Sequence, residues 1–148
     1  MSWVSTEFGS QLQTKDGVKS TSDVLAGKKR IGIYFGAHWC PPCRAFIPML
    51  SDFYKQLNAQ HGDDFEIVFV SADRDAESFA EYFDTMPFVA LPFDSREINS
   101  KLASKYKVSG IPTRIIIDTS GKVIDTGGRT TVSRSSGNIG VAVSKWYE

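Results

Sequence analysis

Arg30-Ile31-Gly32-Ile33-Tyr34-Phe35-Gly36-Ala37-His38-Trp39-Cys40-Pro41-Pro42-Cys43 is the stretch that decides the fold. Its first half is short and apolar, bounded by Gly27 and the basic Lys28-Lys29-Arg30, which is the pattern of a central strand covered on both faces. Beyond Pro41 the period changes. Phe46, Met49, Leu50, Phe53 and Leu57 recur at helical intervals, with Arg44, Asp52, Lys55 and Gln56 on the opposite side. This predicts an amphipathic helix from about Pro41 to Ala59, kinked at Pro48, where a backbone donor is missing and the ring clashes with the preceding turn. Both cysteines of the chain sit at the strand-to-helix junction.

Working outward, Phe65-Glu66-Ile67-Val68-Phe69-Val70 is rich in β-branched and aromatic residues and reads as a second strand. A helical crossover between the two strands makes them parallel, so residues 30–70 form a βαβ unit. Ala76, Phe79, Tyr82 and Phe83 mark one face of a second helix, capped by Asp75, with Glu77 suited to its positive end and Met86-Pro87 terminating it. A third helix is expected from about Ser95 to Tyr106. Asp94 and Glu97 have capping-box spacing there, and Ile98, Leu102 and Tyr106 form the apolar stripe. Arg114-Ile115-Ile116-Ile117-Asp118 and Lys122-Val123-Ile124-Asp125 flank Thr119-Ser120-Gly121 and predict an antiparallel hairpin. The whole is an α/β fold, a mixed β-sheet flanked by helices. The Gly-, Ser- and Thr-rich tract Gly127 to Gly140 reads as loop, as does His61.

The length of 148 residues fits a single domain, 1–148, that can bury a core without structural disulfides. Seventeen acidic residues balance seventeen basic ones, so no net charge draws the chain to nucleic acid or to a membrane surface. The N-terminus lacks the pattern of a secretory signal and no stretch is long enough to cross a bilayer. A soluble, cytoplasmic monomer is the expectation. In a reducing compartment a disulfide is transient and catalytic rather than structural.

Cys40 falls just before the first helical turn, where unpaired backbone N–H groups and the helix dipole favour an anion over a thiol. The thiolate is the attacking species in disulfide exchange, which makes Cys40 the expected nucleophile. Cys43 lies one turn on and on the same side, ~5 to 6 Å away, within reach of a disulfide. It is the expected resolving thiol. Pro41 and Pro42 are tolerated at a helix start because their missing N–H groups would have been unpaired there, and they stiffen the loop. Two alternatives give other meanings to the pair. Buried, inert cysteines would not call for the intervening prolines and the preceding Trp39. A zinc knuckle needs four ligands, yet the chain has no second CxxC and only His38 and His61. No bound cofactor is expected, since phosphate-loop and dinucleotide fingerprints are absent.

The motif in its βαβ setting resembles the thioredoxin-fold oxidoreductases, and so does Gly110-Ile111-Pro112-Thr113. In that family the Ile-Pro-Thr step carries a cis proline beside the dithiol. The resemblance therefore implies a cis Ile111-Pro112 bond, leaving the Ile111 backbone to pair with an incoming chain; a trans turn proline is the alternative. The segments Ala37 to Arg44, Phe65 to Asp73 and Tyr82 to Phe93 are similar to tryparedoxins and nucleoredoxins, over about residues 25–125. The resemblance implies a protein-disulfide reductase in cell redox homeostasis. A tryparedoxin-like chain would take electrons from trypanothione or another small dithiol or a reductase, and pass them to peroxiredoxins or ribonucleotide reductase. A nucleoredoxin-like chain would use thioredoxin reductase or glutathione; the alternative function is a redox-sensing module that regulates a signalling partner. Tyr34 stands where thioredoxins carry a buried acid that assists proton transfer at the second cysteine, and its high ordinary pKa makes it a poor proton acceptor. Arg129 matches a basic position that tryparedoxins use near their substrate groove. Trp39 is expected as a partly exposed shield and partner platform, with core packing as its alternative. His38 reads as a solvated loop residue, or as a group that tunes the thiolate when protonated. Asp73 and Arg74, at the C-terminal end of the second strand, are candidates for a charged rim.

Overall fold

The computed structural model describes residues 7–61, 65–108, 110–118 and 122–125. Strands β1 (Gln11–Thr14) and β2 (Gly17–Ser20) lead into a single helical turn, α1 (Thr21–Val24), and then β3 (Arg30–Gly36). Helix α2 (Pro41–His61) crosses to β4 (Phe65–Ser71), followed by α3 (Ala76–Phe83), β5 (Val89–Ala90), α4 (Arg96–Lys105), β6 (Thr113–Asp118) and β7 (Val123–Asp125). The seven strands form one sheet in the order β2-β1-β5-β4-β3-β6-β7. The three central strands β3, β4 and β5 are parallel, while β1, β2, β6 and β7 join antiparallel.

The period-2 alternation of the central strands divides the core between two faces. Ile31, Ile33 and Phe35 of β3, Val68 and Val70 of β4, and Ile115 and Ile117 of β6 pack with Phe8, Leu12, Leu25 and Leu102. On the other face Tyr34, Phe65, Ile67, Phe69 and Ile116 meet Phe46, Leu50, Phe53 and Leu57 of α2 and Phe79 and Tyr82 of α3. Cys40 and Cys43 belong to this second cluster. The predicted mixed sheet covered on both faces is the one observed.

Gly32 interrupts the apolar run of β3 for a steric reason. A Cβ there would lie 2.5 Å from Nη2 of Arg114, whose side chain is wholly buried with its guanidinium 5.3 Å from the Phe65 ring centroid. The absent side chain is the space the arginine occupies.

Several boundaries depart from the sequence reading. Helix α2 runs through Pro48, as expected, but ends at His61 rather than Ala59, so His61 is a helix terminus and not a loop residue. Asp75 caps α3 as expected, accepting a 2.7 Å hydrogen bond from the Ser78 N–H. The expected capping box of α4 does not form: Ser95, not Asp94, holds the N-cap position, and its side chain makes no capping bond. Tyr106 sits just past the last turn. The hairpin β1–β2, helical turn α1 and the two-residue β5 are additions. Among the described residues no helix is long and apolar enough to cross a membrane. Arg129 and the Gly127 to Gly140 tract lie outside the described residues.

Candidate active site

The dithiol is built by the chain leaving the C-terminal end of β3. The Cys40 N–H donates to the Ala37 carbonyl at 3.2 Å, and the Arg44 N–H donates to the Cys40 carbonyl at 3.1 Å, which starts α2. Pro41 and Pro42 occupy the first two helical positions and have no N–H to offer. The Cys43 N–H is therefore the first donor at this helix start, and it points at Cys40 Sγ, 3.4 Å away. A side-chain oxygen at an N-cap accepts from the same position in other helices. Here a sulfur takes that place, and negative charge on it gains from the donor and from the dipole.

Both cysteines are reduced and largely enclosed. Cys40 is 5% exposed and Cys43 fully buried, so the intervening prolines and the preceding Trp39 do not leave the pair open to solvent. Trp39 supplies the exposed surface instead, at 52%. Its indole Nε1–H donates to the Ala72 carbonyl at 3.1 Å, and the Arg74 guanidinium lies 5.5 Å from its ring centroid. Ile111–Pro112 is cis. Pro112 is buried, and Ile111 is half-buried and packs against the cluster that contains Cys40 and Cys43.

The loop preceding Cys40 is held by the end of β4. Asp73 is buried, not part of a charged rim, because its carboxylate is consumed by structure. Oδ1 accepts from the His38 N–H at 2.7 Å and Oδ2 from the Ser71 hydroxyl at 2.6 Å. The Ser71 carbonyl in turn accepts from Arg96 and from Asn99 of α4, both at 2.5 Å. One carboxylate thus ties the active-site loop to the sheet and, through Ser71, to α4. His38 is half-exposed, with Nδ1 3.9 Å from the Glu81 carboxylate.

Beneath the dithiol, Tyr34 is fully buried against Phe69 and Phe46, with ring centroids 5.7 and 5.9 Å away. Its hydroxyl lies 2.7 Å from the Tyr82 hydroxyl and donates to the Cys43 carbonyl at 3.4 Å. Burial pushes both phenols above their ordinary range. Burial likewise pushes the Cys43 thiol up to about 12, reinforced by its hydrogen bond with Cys40 and opposed by the Ala37 backbone and the Tyr34 hydroxyl. Cys43 is thus held as a neutral thiol. Tyr82 is the site residue that the sequence reading left among core positions, since an apolar stripe does not reveal where a phenol hydroxyl points.

Gly36 makes room for this hydroxyl: a Cβ there would stand 2.5 Å from Tyr34 Oη and 2.7 Å from its Cζ. Gly36→Ala therefore forces a rigid, enclosed ring to move, an overpacking change that costs about 1–3 kcal/mol. The thermal midpoint is expected to fall by roughly 5 °C or more. Circular dichroism melts check this, and an unchanged midpoint would show that the site yields freely.

A thioredoxin-like family profile matches residues 27–123, spanning β3, the dithiol, the cis proline and the start of β7. The chain belongs to the thioredoxin-like family. Within this family of dithiol oxidoreductases it is related to the tryparedoxins and nucleoredoxins. Tryparedoxin II from Crithidia fasciculata superimposes with a TM-score of 0.82 at 37% identity, covering 90% of this chain and 89% of that one. A thioredoxin from Wuchereria bancrofti gives a TM-score of 0.76 at 44% identity, covering 93% of each chain. Nucleoredoxin from Mus musculus is 43% identical over 121 residues, 82% of this chain and 27% of its own length. The chain thus spans about a quarter of that relative. Among the described residues no group of three or more His, Cys, Asp or Glu side chains is placed to hold a metal ion.

Proposed function

We propose that this thioredoxin-like chain is a protein-disulfide reductase of the tryparedoxin type, cycling Cys40 and Cys43 between dithiol and disulfide. The observation that carries the reading is the asymmetry of the pair: Cys40 Sγ faces a helix-start N–H and retains slight exposure, whereas Cys43 is buried as a thiol. The Cys40 thiolate attacks a substrate disulfide, forming a mixed disulfide and expelling one substrate thiolate, which takes up a proton. Cys43 then loses its proton and attacks Cys40 Sγ, closing the Cys40–Cys43 disulfide and releasing the second substrate thiol. Two electrons from a separate donor, with two protons, restore the dithiol.

Trp39 and the Ile111-Pro112 step form the docking surface, with the Ile111 backbone pairing with an extended substrate segment. Arg129 would supply positive charge to the same groove. Protein acceptors are peroxiredoxin-type peroxidases or ribonucleotide reductase, reached in a reducing cytoplasm by a monomer. The donor is a small dithiol of the trypanothione class or a flavoprotein reductase; the tryparedoxin likeness favours the first and the thioredoxin likeness the second.

The test is a steady-state disulfide-reduction assay with trypanothione, glutathione and a thioredoxin reductase system supplied in turn. Sustained turnover with at least one is expected. Negligible turnover with all three, by protein whose Cys40 is reduced and can be alkylated, would defeat the enzyme reading.

A further inference from the structure

A cavity of about 430 Å³, within the size range of small-ligand sites, lies between α2 and the end of α3. Arg44, Pro48 and Ser51 of α2 line it and follow Cys40 at helical spacing, so the cavity runs along the helix away from the attacking sulfur. Ile47 and Pro48 give it an apolar wall. Most of its polar groups are already engaged inside the protein. The Tyr82 hydroxyl meets that of Tyr34 at 2.7 Å, the Thr85 hydroxyl donates to the Tyr82 carbonyl at 2.6 Å, and His38 Nδ1 lies 3.9 Å from the Glu81 carboxylate. Two groups are left over. Ser51 Oγ, at the far end, is buried without a hydrogen-bond partner in the protein. Arg44, exposed and one helical turn from Cys40, makes no ion pair among the described residues. We propose that this cavity seats the aliphatic acid arm of a small dithiol donor, with its carboxylate on Arg44 and its sulfurs at Cys40.

The chemistry of the wall selects this class of donor. An apolar surface with one available guanidinium at its edge suits a short hydrocarbon chain that ends in a carboxylate, because the chain leaves water while the charge keeps a partner. Helical neighbours one turn apart are ~5 to 6 Å from each other, so a chain of a few carbons spans the step from Cys40 to Arg44. A donor thiolate attacks Cys40 Sγ of the oxidised protein, the sulfur that retains some exposure, and expels the Cys43 thiolate, which takes up a proton. The donor's second thiol then loses its proton and attacks the donor sulfur held on Cys40. That closes the donor's own disulfide and releases Cys40. Two electrons pass from donor to protein, two S–H bonds are lost on the donor, and two thiols are restored on the chain. The site rests on the oxidoreductase reading and specifies the donor within it.

The experiment compares dihydrolipoate with dihydrolipoamide, two dithiols that differ at the end of the aliphatic arm only, as reductants of the oxidised protein in stopped-flow with acid quench. The acid is expected to react about fivefold faster than the amide, the worth of an exposed ion pair of ~1 kcal/mol. In Arg44→Gln, a change at an exposed position, that ratio should fall to about one. Unreactive hexanoate and hexanamide, titrated into isotope-labelled protein, locate the arm by amide NMR shifts. Hexanoate should shift Ser51 and Thr85 saturably, with hexanamide about fivefold weaker and the difference lost in Arg44→Gln. Equal rates for the two dithiols in the wild-type protein, or a ratio that survives Arg44→Gln, would overturn the anchor. Hexanoate shifts confined to residues outside the cavity would overturn the site, even with both dithiols active. Failure of both dithiols to reduce the oxidised protein, with hexanoate still mapping to the cavity, would instead sink the oxidoreductase reading and the donor role with it.

Discussion

Cys40→Ser is expected to lose disulfide-reductase turnover by at least about a thousandfold, because a serine hydroxyl is not ionised near neutral pH and, among the described residues, no base hydrogen-bonds the side chain at this position to activate it. The same change at Cys43 should have a different outcome. In Cys43→Ser the N–H of residue 43 still faces Cys40 Sγ, since it is a backbone group, so attack on the substrate survives. The mixed disulfide then has no internal thiol to resolve it and accumulates to one adduct per chain. Steady-state reduction of a protein disulfide measures the first effect, and intact-mass and peptide mapping of a trapped substrate measure the second. An adduct mapping away from Cys40, or Cys40→Ser retaining more than a tenth of wild-type turnover, would reverse the assignment of roles. Cys40 is only 5% exposed, so the substrate must approach along a narrow line beside Trp39. Small linear disulfides should therefore trap faster than bulky folded ones.

The sheet was legible because its central strands are buried on both faces, and such strands announce themselves as apolar runs. The β3-α2-β4 unit carried both signals, a change of hydrophobic period and a pair of prolines at a helix start, so the dithiol could be placed from residues alone. β1 and β2 carried neither. Gln11–Thr14 and Gly17–Ser20 bury only Leu12, and an edge hairpin with one inward side chain has no periodicity to detect. β5 is two residues long and is held by its neighbours rather than by its own pattern. In the site, what stayed hidden was partnership across the chain. Asp73 looked like a surface charge until the His38 N–H and Ser71 hydroxyl were seen to occupy its oxygens. Tyr82 looked like core until its hydroxyl met that of Tyr34, 48 residues away. Gly36 is a third case: its lack of a side chain is explained only by a ring two residues before it.

The reduction potential of the Cys40–Cys43 couple should keep falling with pH well beyond the point at which an ordinary dithiol levels off. Reduction delivers two electrons, and each proton that the reduced form holds adds about 30 mV per pH unit to the slope. An unperturbed cysteine with a pKa of 9.0 stops contributing above that pH, but the Cys43 thiol is pushed up to about 12 by burial and by its hydrogen bond with Cys40. Its proton is therefore still taken up on reduction between pH 9 and about 12, lowering the potential by roughly 90 mV more than an unperturbed pair, equivalent to ~10³ in the exchange equilibrium. The same linkage acts on folding. A raised folded-state pKa means that the folded protein holds a proton the unfolded chain has lost, so this contribution to the stability of the reduced form is complete below pH 9. It is lost as pH rises towards about 12. The oxidised form has no thiol at position 43 and is spared that loss. Equilibration against a reference dithiol of known pH dependence, quenched by alkylation at steps from pH 7 to 11, measures the slope; parallel melts of reduced and oxidised protein measure the stability difference. A slope that goes flat at pH 9 would mean that Cys43 ionises like a solvated cysteine. The asymmetry between an attacking and a resolving sulfur would then have to come from position alone.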